Sequence, residues 1–182
     1  MRWERLFEDL DAQIESGAIR EREAEVADRT RHERARIDLQ SRLLASVAGR
    51  PVTLRLASGA LEGPVQDVGP DWVLLETGSR RSSLVATAAI QTLTGLAAGA
   101  VVPSVVARRF GLGSALRGIS RDRCVVEVVT QAIRLVGTID VVGSDHLELA
   151  EHASDVPRRA ENVTAVHVVP FWALESVHPV RH

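Results

Sequence analysis

The chain has 182 residues, 45% hydrophobic and 25% charged, with 22 basic against 24 acidic side chains and a formal net charge of −2. That length holds one or two domains, and so even a charge balance excludes a global attraction to nucleic acid or to an anionic membrane. A single cysteine, Cys124, excludes an internal disulfide and fits a reducing cytoplasm.

Every basic residue is arginine. A genome-wide composition bias explains this, so arginine enrichment is not by itself a designed phosphate site, although arginine suits one. The opening MRWERLFEDLD is charged and has no apolar core, which predicts no secretory leader. The longest apolar run, Leu96–Val102, is too short to span a bilayer. The expected location is the cytoplasm, with no membrane partner.

Residues 1–37 form the first expected region, a helical arm. Trp3, Leu6, Phe7, Leu10 and Ile14 recur at three- and four-residue steps and give one apolar stripe. The stripe packs either on the chain's own body or against a partner or second copy. A second helix is expected over 19–47. Its first part is a solvated face of alternating charge, whose glutamates cancel the arginines that a nucleic-acid arm would need. Its last part, from Ile37 to Val47, turns apolar and is expected to cap the first set of strands.

An internal repeat organises the rest. Leu61–Glu76 reads LEGPVQDVGPDWVLLE and Leu135–Ala150 reads LVGTIDVVGSDHLELA. Adding 74 carries Gly63 to Gly137, Val68-Gly69 to Val142-Gly143 and Asp71 to Asp145; it also carries Val52 to Val126. Later the offset becomes 84, carrying Ala89 to Ala173 and Leu93 to Val177, so ten extra residues fall within 151–163. Val-Gly-Pro-Asp and Val-Gly-Ser-Asp are turn chemistry between short β-branched runs. Gly63 and Gly137, inside strands, mark a bend or a close backbone approach. Each copy offers five strands, and each alone would have a marginal core.

Between the copies, 105–119 is expected to be a helix. Arg108, Arg109, Arg117, Arg121 and Arg123 gather there against one acid, Asp122. This is the most basic stretch and the place to look for a polyanion; a solvated helix face is the plainer alternative. The tests for chemistry are negative. The six histidines lack metal-ligand spacing, no nucleophile motif is present, and Asp71 and Asp145 are repeat-equivalent turn residues rather than a catalytic pair. Cys124, beside Val125 and Val126, reads as a buried small hydrophobe. No catalytic residue, metal or cofactor is expected, and the chain is not expected to be an enzyme.

A helix followed by five short strands, with Gly63-Pro64-Val65 and Val68-Gly69-Pro70-Asp71-Trp72-Val73-Leu74-Leu75 over strands two and three, resembles the Sm-like barrel, an SH3-like fold. The resemblance covers about 40–96 and 112–178. The chain as a whole also resembles tandem-barrel proteins of high-GC bacteria, some of which carry a transcriptional-regulator label. The resemblance implies an α+β, mainly β fold: an arm over 1–37, a first barrel with its leading helix over 38–96, a linker and helix over 97–122, and a second barrel over 123–182. Neither copy keeps the loop features of the family's RNA pocket, so the fold is carried over and RNA-binding residues are not. The function expected is a non-enzymatic interaction and regulatory module, associated with RNA or the transcription machinery, with a protein partner or self-association through strand edges. The alternative is a direct nucleic-acid-binding regulator that uses the 108–123 stretch.

Overall fold

The structure, a computed structural model, describes residues 25, 28–32, 34–78, 81–105 and 108–180. The chain divides into two units, Met1–Asp38 and Leu39–His182. In the first, the described residues 28–32 and 34–35 are helical. Asp28 accepts an ion pair from Arg31 at 3.6 Å, the i, i+3 contact that stabilises a solvated helix.

The predicted helix over 19–47 does not run through. The chain leaves the helix at 36–38, where Ile37 N bonds Arg34 O at 3.2 Å, a tightened last turn. A new helix, α1, covers Leu39–Leu44. Asp38 stands at the position before it, where a short acid suits a helix start better than a helix interior. Leu43 anchors α1 in the core.

Among the described residues the second unit contains eleven strands, so the molecule is mainly β with few helices. Repeat one supplies β1 (Val52–Leu56), β2 (Gly59–Gly63), β3 (Val65–Val68), β4 (Trp72–Thr77), β5 (Arg81–Ala86) and β6 (Thr92–Thr94). After helix α2 (Leu112–Arg121), repeat two supplies β7 (Val125–Thr130), β8 (Arg134–Val142), β9 (His146–Glu151), β10 (Ala165–Pro170) and β11 (Leu174–Pro179). The ladders are antiparallel throughout. They form a three-stranded sheet, β2-β1-β6, and an eight-stranded sheet, β10-β9-β8-β7-β11-β5-β4-β3. Among the described residues neither repeat closes into a barrel, because no ladder joins β5 to β6 or β10 to β11.

The repeat holds at the level of register. Val52 faces Gly63 across β1–β2, and Val126 faces Gly137 across β7–β8. Leu74 faces Leu84 across β4–β5, and Glu148 faces Val168 across β9–β10. Leu93 faces Leu54 across β6–β1, and Val177 faces Val128 across β11–β7. Even the irregularity recurs: register slips between Val65 and Asp67 and between Ile139 and Val141, 74 residues on. Repeat one breaks its long strand at Pro64, which has no N–H to give a ladder, whereas repeat two runs through as β8. At Gly63 and Gly137 a Cβ would collide with the carbonyl oxygens of Glu76 and Ala150, so these glycines let two backbones meet.

The predicted helix over 105–119 begins later than expected. Residues 108–111 are not helical, and α2 starts at Leu112. The Asp71 carboxylate, in the turn of repeat one, accepts Leu112 N at 2.7 Å and supplies the cap that Gly111 lacks. The first turn thus forms where a distant acid waits for its N–H groups.

Candidate functional site: a closed seam and the open edges of β6 and β10

The two repeats join through a single ladder. β5 of repeat one pairs β11 of repeat two, with Val85 opposite Ser176 and Leu84 opposite Val177. Repeat one is built for this. Its β4–β5 face is apolar on both sides, as expected of strands covered twice. Val73, Leu75 and Val85 face one core with Val52, Leu54 and Leu43. Trp72, Leu84 and Ala86 enter a second core with Leu116, Val126, Leu147 and Val177 of repeat two. Trp72 Nε1 donates to Phe110 O at 2.7 Å, so the indole reaches this core without stranding its polar atom.

A chain of hydroxyls and one imidazole crosses the seam on its other side. Thr77 Oγ1 donates to Arg81 O at 3.1 Å and lies 3.0 Å from Ser83 Oγ. Ser83 Oγ lies 2.8 Å from His178 Nδ1, and His178 Nε2 lies 2.8 Å from Ser176 Oγ. With the Thr77 proton given to Arg81, Ser83 donates to Thr77 and accepts Nδ1–H, leaving Nε2 to accept from Ser176. Burial, the largest cause, pushes the His178 imidazole below its ordinary value of 6.5; Glu127 opposes this, and Arg134 and Arg81 add to it. Beside this chain a cleft of about 250 Å3 opens between Arg81, Glu127 and Arg134. Ser58 N donates to the buried Glu175 at 3.1 Å, a further tie across the seam.

At the ends, the same two strand positions are open. β10 is repeat two's counterpart of β5, and β6 is repeat one's counterpart of β11, each at an offset of 84. Among the described residues both have one unpaired edge. Leu84 is 4% exposed at the seam, while its counterpart Val168 is 61% exposed. Val166 is also exposed on β10, and Trp172, just beyond, is 81% exposed. β10 carries these apolar side chains beside an unpaired backbone edge, the kind of edge on which another strand can add.

The arginine stretch is on the surface. Arg108, Arg109, Arg117, Arg121 and Arg123 are all exposed, with Arg117 and Arg121 one turn apart on α2. Arg117 Nη1 reaches Gly143 O at 3.3 Å and Arg123 pairs Asp140 at 3.7 Å, so two of the five are partly engaged by repeat two. The stripe Trp3, Leu6, Phe7, Leu10 and Ile14 lies outside the described residues.

The histidines are held apart. His152 is buried, bonded to Thr138 Oγ1 at 2.9 Å and Ala153 O at 2.9 Å. His146 pairs Asp145 at 2.8 Å, and His167 pairs Glu151 at 2.8 Å. Among the described residues no three His, Cys, Asp or Glu side chains gather as a metal site would require. The His146 contact holds the Asp145 carboxyl below the usual carboxylate range. Cys124 is half-buried, and burial pushes its thiol up. The 151–163 insertion folds back through Arg158, which grips both carboxylate oxygens of Asp140. Among the described residues no helix is long and apolar enough to cross a membrane.

Val166, Val168 and Trp172 were not singled out by the sequence. The signal was there in the repeat itself: Trp72-Val73-Leu74-Leu75 is apolar throughout, while His146-Leu147-Glu148-Leu149 alternates. That difference separates a strand pair covered on both faces from one left open. No protein-family model matches the chain, and no curated protein matches its sequence.

Proposed function

We propose that the chain is a non-enzymatic interaction and regulatory module that joins copies of itself, or a protein presenting a matching strand, through the open edges of β10 and β6. The observation that carries this is the β5–β11 ladder. It is a working example, within one chain, of the contact that the two open edges are shaped to make. By the repeat offsets, Leu93 of one copy would stand opposite Val168 of the next, and Thr92 opposite Val169. The contact is heterologous, since two different edges meet, so it closes into a ring or extends as a filament. Each repeat in such an assembly corresponds to one Sm-like barrel, with the preceding helix as its cap. The matching ladders of the two repeats, apart from the break at Pro64, support that correspondence. A cytoplasmic role beside RNA or the transcription machinery follows from the resemblance.

Light scattering on the full chain tests the proposal. The wild type is expected to associate with rising concentration, and Val168→Asp to remain a single folded chain. A wild type that stays a single chain at every concentration, and captures no partner that Val168→Asp fails to capture, would overturn it.

The exposure of all five arginines between 108 and 123 favours a second reading, direct nucleic-acid binding. That affinity should fall steeply with salt. Loss of binding on changing Arg108, Arg109 and Arg117 to Ala supports it; unchanged binding removes it.

A further inference from the structure

The closed seam and the open edges differ in chemistry at one matched pair of positions. At the seam, Leu74 and its cross-strand neighbour Leu84 share a cleft of about 200 Å3 with Cys124, Val126 and Pro179 of repeat two. Those five side chains are apolar, while Ser82 and Asp122 also line the cleft. The offsets carry Leu74 to Glu148 and Leu84 to Val168, again cross-strand neighbours. On the receiving side they carry Cys124 to Arg50, Val126 to Val52 and Pro179 to Gly95. An apolar meeting has become an acid on one end of the molecule and a base on the other.

The receiving side is already shaped. Gly49, Arg50, Pro51 and Gly95 line an open cleft of about 450 Å3; at the seam the counterparts of Arg50 and Gly95, Cys124 and Pro179, are half-buried and share a cleft with Leu74 and Leu84 of repeat one. Arg50 is exposed and Glu148 half-buried, and neither has an ion-pair partner among the described residues. From this placement we infer that a second copy of the chain occupies the cleft and that Glu148 of one copy pairs with Arg50 of the next. The inference rests on the head-to-tail contact proposed above. It adds what sets its partner and its strength. A carboxylate facing a guanidinium fixes orientation and rejects partners without the matching charge. It also leaves the contact between copies open to screening by salt, which the apolar seam resists.

Charge reversal with the full chain is the test. E148R and R50E, each checked for folding by circular dichroism, are expected to associate about tenfold or more weakly than the wild type, because like charges then meet. Mixed in equal amounts, the two variants are expected to recover association, since each supplies the charge the other now lacks. Wild-type association is expected to weaken as salt rises from about 0.1 to about 1 M, over which the screening length falls from about 10 to about 3 Å. Single variants that associate like the wild type would overturn the ion pair and leave the edge contact standing if Val168→Asp still abolishes it. Variants that lose association and fail to recover on mixing would overturn it as well. A wild type that never associates would remove the head-to-tail contact and the ion pair together.

Discussion

The seam inside the chain and the edges at its ends are the same structural position, used twice. Inside, β5 meets β11 with Leu84 and Val177 buried. At the ends, Val168 and half-buried Leu93 hold the same places on strands that, among the described residues, pair on one side only. Register, strand order and bulge position are shared, so none of them decides which copy is covered. The decision sits in a few side chains: Trp72 against His146, and Leu74 against Glu148. A β-strand's fitness for an interior place is thus written on its second face, where burial of a single side chain such as Leu84 contributes about 1.5–3 kcal/mol.

The sharpest way to break the comparison is to put one charge at both positions. Leu84→Asp leaves an unpaired carboxylate in the core and is expected to cost about 3–5 kcal/mol in chemical denaturation, or to prevent folding. Val168→Asp is expected to leave stability within about 0.5 kcal/mol, since it faces solvent in the single chain, while abolishing association. Equal destabilisation by both would show that β10 is covered within the chain. Gly63→Ala and Gly137→Ala test whether the repeats share their bend. Each Cβ would press on a carbonyl, so each is expected to cost about 1–3 kcal/mol, measured by the same denaturation. Asp71→Ala removes the cap of α2 and is expected to cost about 1 kcal/mol, whereas Asp145→Ala, at the matched turn, caps no helix here and should cost less.

The smallest effect concerns pH. The folded protein holds His178 neutral below its ordinary value of 6.5. The unfolded chain therefore takes up the proton first as the solution is acidified. Stability is full above about pH 6.5 and declines as pH falls from there toward the lower folded value. His178→Gln should flatten that part of the profile, read from thermal midpoints between about pH 5 and 7.5. An unchanged slope would place the titration elsewhere.

Much of the second unit was legible because its signals are local. Val-Gly-Pro-Asp and Val-Gly-Ser-Asp name their turns, and the short β-branched runs beside them name the strands, although the break at Pro64 turns the second expected strand of repeat one into two. The seam was not legible. A period of two tells which face of a strand is buried and says nothing about which strand lies along its edge. The helices failed for a related reason. Nothing near Leu112 in sequence announces a helix start, because its cap, Asp71, arrives from another part of the chain. In the 19–47 stretch, the change from charged to apolar sequence at Ile37 reads as a change of helix face, where the structure has a break at 36–38. Candidate site residues such as Arg50 and Glu148 look ordinary until the seam supplies what each is to be compared with.

The tether between the repeats has a consequence for counting. The seam forms between parts of one chain, at an effective concentration in the millimolar range set by the linker rather than by the protein. Dilution can therefore part chain from chain but not repeat from repeat. A ring of such chains would always contain an even number of repeats, with apolar and charged contacts alternating around it. Rings of five or seven repeats, open to a one-repeat protein of the same design, are closed to this one.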